Sequence, residues 1–102
     1  MQFDYPHTLD PQEACERLEV LGTYLRNRHG IQVHWNGREG TFKGKYLMVT
    51  IDGQMTVEDK QLRFNGKDPG RLWRGKAVKY LKEKLEIYLN PLTPVSELPT
   101  NK

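Results

Sequence analysis

With 102 residues, 36% of them hydrophobic and 28% charged, and a formal charge of +3, the chain has material for one folded domain and is too apolar to be a disordered one. Two Trp, five Tyr and three Phe supply the apolar area for one core between two layers, with little space left for a deep enclosed pocket. A lone cysteine, Cys15, excludes an internal disulfide and a cysteine-built zinc site, and no stretch approaches the ~18 apolar residues of a membrane span.

The opening Met-Gln-Phe-Asp-Tyr-Pro has neither the basic start nor the apolar run of a secretory signal, which points to a cytoplasmic protein. Residues Asp10 to His29 read as a helix. Asp10 can cap it, Pro11 suits its first position and Glu13 completes a capping box. Ala14, Cys15, Leu18, Leu21, Gly22 and Leu25 recur at helical spacing as the buried stripe, and Gly30 suits a left-handed stop.

Ile31, Val33 and Trp35 then alternate with Gln32 and His34, the period of a half-buried strand. Asn36-Gly37 is a strong hairpin signal, since both residues tolerate positive φ. A second strand covers about Thr41 to Lys43, with room to continue past Gly44-Lys45. Tyr46 to Val57 is β-rich, interrupted at Asp52-Gly53 by a turn or a bulge. After a turn at Glu58-Asp59-Lys60, Gln61 to Phe64 forms a last strand. Connections this short require antiparallel neighbours.

Beyond Asn65-Gly66 and Asp68-Pro69-Gly70, a second helix runs from about Gly70 or Arg71 to Leu89. Its stripe is Trp73, Ala77, Tyr80, Leu81, Leu85 and Tyr88, with Val78 at the edge. The expected fold is α+β: a helix, an antiparallel meander of four or five strands and a helix, with both helices on one face of the sheet. Residues 1–90 make the domain. Residues 91–102, with Pro94 and Pro99 and no periodicity, read as a tail that is mobile or loosely docked.

Charge is segregated. From Lys60 to Lys84 nine basic residues stand against Asp68 and Glu83, a local balance of +7 in a chain of +3. Arg71, Arg74 and Lys76 occupy the start of the second helix, where each exposed cation opposes the helix dipole at about 0.3–1 kcal/mol. Lys67, Arg71, Arg74, Lys76 and Lys79 are therefore the candidate anion or partner site. A phosphate, a nucleic-acid backbone, an anionic lipid surface or an acidic protein would suit it. The competing reading is a solvated face whose long stems cover apolar surface. Arg74 falls inside the apolar stripe and has to snorkel, find a buried carboxylate or reach a ligand.

Nothing in the pattern points to catalysis, a metal or a cofactor. His7, His29 and His34 are scattered without ligand spacing. His7, beside Pro6, suits a local hydrogen bond near the helix start. Cys15 sits on the buried stripe with no base assigned to it, and Asp52, Glu58 and Asp59 are ordinary turn residues. Phosphate-binding loops, dinucleotide fingerprints and nucleophile elbows are missing. Tyr46, Trp73 and Tyr80 near basic residues raise base stacking, but Trp73 and Tyr80 share the helix stripe and read as core.

Several strings together resemble the polyhydroxyalkanoic acid system protein family. They are Pro6-His7-Thr8-Leu9 ahead of Glu13-Ala14, Arg17, Leu21 and Leu25, then Gly30-Ile31, Trp35, Phe42-Lys43-Gly44-Lys45, Asp52-Gly53 and Val57-Glu58-Asp59. Pro69-Gly70-Arg71-Leu72, Lys76 and the leucines up to Leu89 close the likeness, which spans about Tyr5 to Leu89. The chain departs from the family around Tyr46 to Thr50 and after Asn90. The resemblance implies a small bacterial accessory protein working near polyhydroxyalkanoate granules, with a granule surface or granule protein as partner and no catalytic residues. A polyanion-binding module and a carrier of a small apolar ligand held between sheet and helices are the rival readings.

Overall fold

Asp10 starts the first helix as its side chain allows: Oδ1 accepts from the Gln12 amide at 3.4 Å, and Pro11 takes the first position of α1 (Pro11–His29). Gly30 ends it at φ 71°, its amide donating back to the Arg26 carbonyl. In a computed structural model that describes residues 1–46 and 49–101, the remaining elements are β1 (Gln2–Pro6), β2 (Gln32–Asn36), β3 (Glu39–Tyr46), β4 (Val49–Val57), β5 (Gln61–Gly66) and α2 (Arg71–Tyr88). A short 3-10 turn, Val95–Glu97, lies in the tail.

The sheet is antiparallel throughout, in the order β1-β5-β4-β3-β2. The α+β architecture agrees with the sequence reading, but the fifth strand has a different origin. β4 passes through Asp52-Gly53 unbroken, with Lys43 opposite Asp52 and Phe42 opposite Gly53. Gly53 serves close packing there: a Cβ on it would stand 2.8 Å from the Phe64 ring. The extra strand is instead β1, where Phe3 and Tyr5 alternate with Gln2 and Asp4 and pair with Phe64 and Leu62 of β5. The Asn36-Gly37 hairpin also forms one residue later than its signal suggested. Asn36 already pairs with Glu39, and of the loop residues Gly37 and Arg38 only the glycine takes a positive φ, 61°.

Register gives the sheet one apolar face. Phe3, Phe64, Met55, Gly40 and Trp35 follow one another across all five strands, and Tyr5, Leu62 and Val57 form the next row. The opposite face carries Asp4, Arg63, Gln54, Thr41, His34 and their polar neighbours, exposed to water. Both helices cover the apolar face. Along α1, Ala14, Leu18, Leu21 and Leu25 are buried as their spacing required, while Cys15 is only partly so. His7 is buried at the β1–α1 corner: Nδ1 accepts from the Leu9 amide at 3.1 Å, so Nε2 donates to the Glu58 carbonyl at 2.9 Å.

One buried residue of α1 carries a charge. Arg17 occupies the apolar stripe at 3% exposure, with its Nη1 donating to the carbonyls of Tyr88 (3.3 Å) and Asn90 (2.9 Å). Its Nε faces Glu13 Oε2 at 3.5 Å, near enough for an ion pair but not aligned for a hydrogen bond. The guanidinium thus satisfies carbonyls left free at the end of α2, where a cation also suits the helix dipole. The tail packs back against both helices: Leu98 is buried, the Tyr88 hydroxyl donates to the Pro99 carbonyl, and, in the last turns of α1, Asn27 donates to the Thr100 carbonyl at 2.8 Å. Burial pushes the Tyr88 phenol up to about 12, so it stays a donor at neutral pH.

No helix among the described residues is long and apolar enough to cross a membrane. Replacing Arg17 by Ala leaves two partly buried carbonyls without their donor, and is expected to cost about 3 kcal/mol. Urea denaturation of R17A checks this; a loss below about 1 kcal/mol would show that the carbonyls find other partners.

Candidate functional site

The stripe of α2 is buried at one end only. Leu85 and Tyr88 are in the core, whereas Trp73, Ala77, Tyr80 and Leu81 are half-buried. The space they fail to fill is a cavity of about 360 Å³ between the first half of α2 and the sheet. Its size lies inside the range of about 300–1,000 Å³ usual for small-ligand sites, and it opens at the edge, where the sequence had left little space for a deep enclosed pocket.

The floor of the cavity follows from register. Gly53 of β4 stands opposite Gly66 of β5, two inward-facing positions without side chains. The Phe64 ring lies across both, with its atoms 2.8–3.0 Å from where their Cβ atoms would be. A ring lying flat on the sheet leaves the height above it open. Phe42, Ile51 and Tyr46 continue the floor, Leu25 and His29 of α1 close the inner side, and Trp73, Ala77, Tyr80 and Leu81 form the roof. Nearly all of this wall is carbon. Apart from His29 and Tyr80, which bond to each other, its polar side chains, Asp52, Lys67 and Lys76 among them, belong to residues exposed at its edge.

The half of α2 forming the roof is also weakly held. Gly70, at φ 105°, offers no side-chain cap, and the first turn contains no acidic residue. Gly75 sits mid-helix with nothing within 4 Å of where a Cβ would stand, so no packing contact requires a glycine there. Toward its middle the roof is tied to α1 through His29 and Tyr80, whose Nε2 and hydroxyl lie 2.9 Å apart. Burial, with Arg28 and Lys84 adding to it, holds the imidazole below its ordinary range, and burial raises the Tyr80 phenol. Both shifts favour Tyr80 O–H donating to a neutral His29. Tyr24 and Tyr46 pack edge-on against the same ring, and Lys84 Nζ donates to the Tyr24 hydroxyl at 3.2 Å.

The five basic residues singled out in the sequence do not gather into one patch. Lys67 and Lys76 stand at the cavity edge, where Lys76 Nζ is 5.5 Å from the centre of the Trp73 ring. Arg74 and Lys79 lie on the other flank of α2, in a shallow groove beside Tyr5, Val78 and Glu86. Arg71 is exposed at the helix start and lines neither. Arg74, which its helical angle put on the apolar stripe, is exposed and pairs with the carboxylate of Asp68, itself at the surface. That carboxylate also accepts from the Gly70 amide at 2.9 Å, and Arg74 first, then this amide, hold it below the usual range. The anion at the head of α2 is thus one of the chain's own. Lys67, Arg71, Lys76 and Lys79 have no ion-pair partner among the described residues.

Tyr46, Trp73 and Tyr80, weighed above as a stacking set, all belong to the cavity wall. Sequence reasoning missed His29 as a wall residue, because a histidine before a Gly cap reads as an ordinary helix-end cation. Burial pushes the Cys15 thiol up, away from nucleophilic use. No three His, Cys, Asp or Glu side chains among the described residues are grouped so as to hold a metal ion.

One protein family, described as "Putative polyhydroxyalkanoic acid system protein", matches the chain over residues 1–91. Neither the curated proteins nor the solved structures contain a match. Of the Tyr46 to Thr50 stretch that the sequence reading set apart from the family, residues 47 and 48 lie outside the described ones.

Two outcomes are expected. Gly75→Ala should stabilise the domain by about 0.5–1 kcal/mol in urea denaturation, because the helix gains propensity and the new methyl meets nothing. Acid should destabilise the wild type through His29: a folded-state imidazole held below the unfolded value of about 6.5 keeps its full stabilisation above that pH and loses it as pH falls through the lower folded value. Melting curves between about pH 7.5 and 5 should show this loss, and it should be smaller in His29→Gln.

Proposed function

Because the chain belongs to the polyhydroxyalkanoic acid system protein family, matched over residues 1–91, we propose that it is an accessory protein of that storage system that acts by binding and not by catalysis. In this reading it works in the cytoplasm beside the granules, and the cavity beneath α2 takes an apolar chain of acyl type. The single observation that supports it is the carbon-lined space of about 360 Å³ under a weakly held helix half. A site of that character attracts ligands through apolar surface removed from water, at roughly 25 cal/mol per Å². Trp73 and Tyr80 in the roof and Phe42 and Phe64 in the floor offer flat faces to a methylene chain.

A second reading, binding of a polyanion, is favoured by one separate observation: Arg71 and Lys79 point to solvent without carboxylate partners among the described residues. It predicts an affinity whose logarithm falls linearly with the logarithm of salt concentration. Salt-independent binding, or none, removes it.

The cavity reading is tested with an uncharged probe, the methyl ester of a medium-length 3-hydroxyalkanoic acid. Saturating ester should raise the melting temperature by at least ~4 °C and change the fluorescence of Trp73. Ala77→Phe, which fills the space from the roof, should fold and lose both responses. If the wild type gives neither response, the cavity is not the binding site.

A further inference from the structure

The edge of the cavity has a chemistry of its own, different from that of the walls. Lys67 follows β5 directly, its amide donating to the Asp52 carbonyl at 2.8 Å, which fixes the backbone from which its side chain leaves. Lys76 rises from the roof, one turn beyond Trp73, and its ammonium is held over the indole ring 5.5 Å from the centroid. The two cations therefore come from opposite sides, floor and roof, and border the same space. A single carboxylate, Asp52, belongs to this border, and neither lysine forms an ion pair with it. The ammonium of Met1, donating to the Gly66 carbonyl at 2.9 Å, adds to the same sign.

We infer that the cavity selects an acyl chain ending in a free carboxylate, with its apolar length under α2 and its charged end between Lys67 and Lys76. This rests on the apolar-chain reading above and adds to it the chemical class of the ligand. The walls are poor surroundings for a charge: their inner polar atoms, His29 Nε2 and the Tyr80 hydroxyl, are already bonded to each other, and an ionised group buried without partners is strongly disfavoured. A charged end must stay at the edge, and the edge supplies two unpaired donors there. A neutral chain gains from the walls alone, whereas a carboxylate gains charge-assisted hydrogen bonds in addition. The lysine stems can lie along the apolar rim while their heads remain in water to receive it.

The test compares a medium-length 3-hydroxyalkanoic acid with its own methyl ester, titrated into the full chain at pH 7 and low salt and followed by calorimetry and Trp73 fluorescence. The acid is expected to bind about tenfold more tightly than the ester. In the double variant Lys67→Gln, Lys76→Gln the two should bind alike, at the affinity the ester has for the wild type. Both positions are exposed, so the variant should fold, which circular dichroism checks. Equal affinities for acid and ester in the wild type overturn this inference and leave the apolar-chain reading standing. A preference for the acid that survives in the double variant overturns the assignment to these lysines. Binding of neither probe overturns both.

Discussion

A buried guanidinium decides how this domain is assembled. Arg17 reaches across from α1 to the Tyr88 and Asn90 carbonyls, and the chain after α2 folds back, with Leu98 buried, the Pro99 carbonyl meeting the Tyr88 hydroxyl and Thr100 meeting Asn27 in the last turns of α1. An arginine taken out of water is tolerable only where hydrogen bonds and a counter-charge meet it, and here two carbonyls and Glu13 do so. The result is a helix fixed at one end. Its second half lies in the core through Leu85 and Tyr88, and its first half extends over the sheet without comparable burial. The cavity is the geometric consequence, because a helix anchored at its far end and lying over a floor of Gly53, Gly66 and a flat Phe64 ring leaves space beneath it.

How far the sequence disclosed this differs between elements, for identifiable reasons. α1 was legible because its cap, its stripe and its stop signal agree. The β2–β3 hairpin was legible as a hairpin but displaced by a residue, since the loop asks for positive φ only at Gly37. β1 escaped notice although Gln2-Phe3-Asp4-Tyr5 alternates faultlessly: a five-residue edge strand ending in proline carries little signal apart from its partner β5. Asp52-Gly53 misled because a glycine required by close packing looks, in one dimension, like a glycine required by a turn.

The candidate site was legible in its charges and not in its shape. The excess of Lys and Arg between residues 60 and 84 is visible on inspection, but periodicity alone cannot say that Lys67 and Lys76 border one space while Arg74 and Lys79 border another. Likewise Trp73, Ala77, Tyr80 and Leu81 were correctly placed on the inward stripe. Periodicity reports which way a residue faces, never whether anything meets it. Arg17 is the instructive case. It falls between Ala14, Leu18 and Leu21 on the same stripe, and a charge there is the one sequence signal that the core contains a polar contact.

Charge, cavity and helix stability are then parts of one arrangement. Arg71, Arg74 and Lys76 oppose the dipole of α2; its first turn has no acidic residue, Gly70 provides no side-chain cap, and Gly75 weakens the interior. Asp68 relieves only part of this, by meeting Arg74 and the Gly70 amide from outside the helix. Every one of these weaknesses falls in the half of α2 that roofs the cavity, and none in the half that Arg17 and the tail secure. Segments that open locally are those with few buried contacts and weak intrinsic structure, and binding elements are drawn from that low-stability end. In the proposed reading, a ligand that fills the space supplies the contacts this half of α2 lacks. In the proposed complex a carboxylate at the cavity edge would meet Lys76, one of the cations that disfavour this end of the helix.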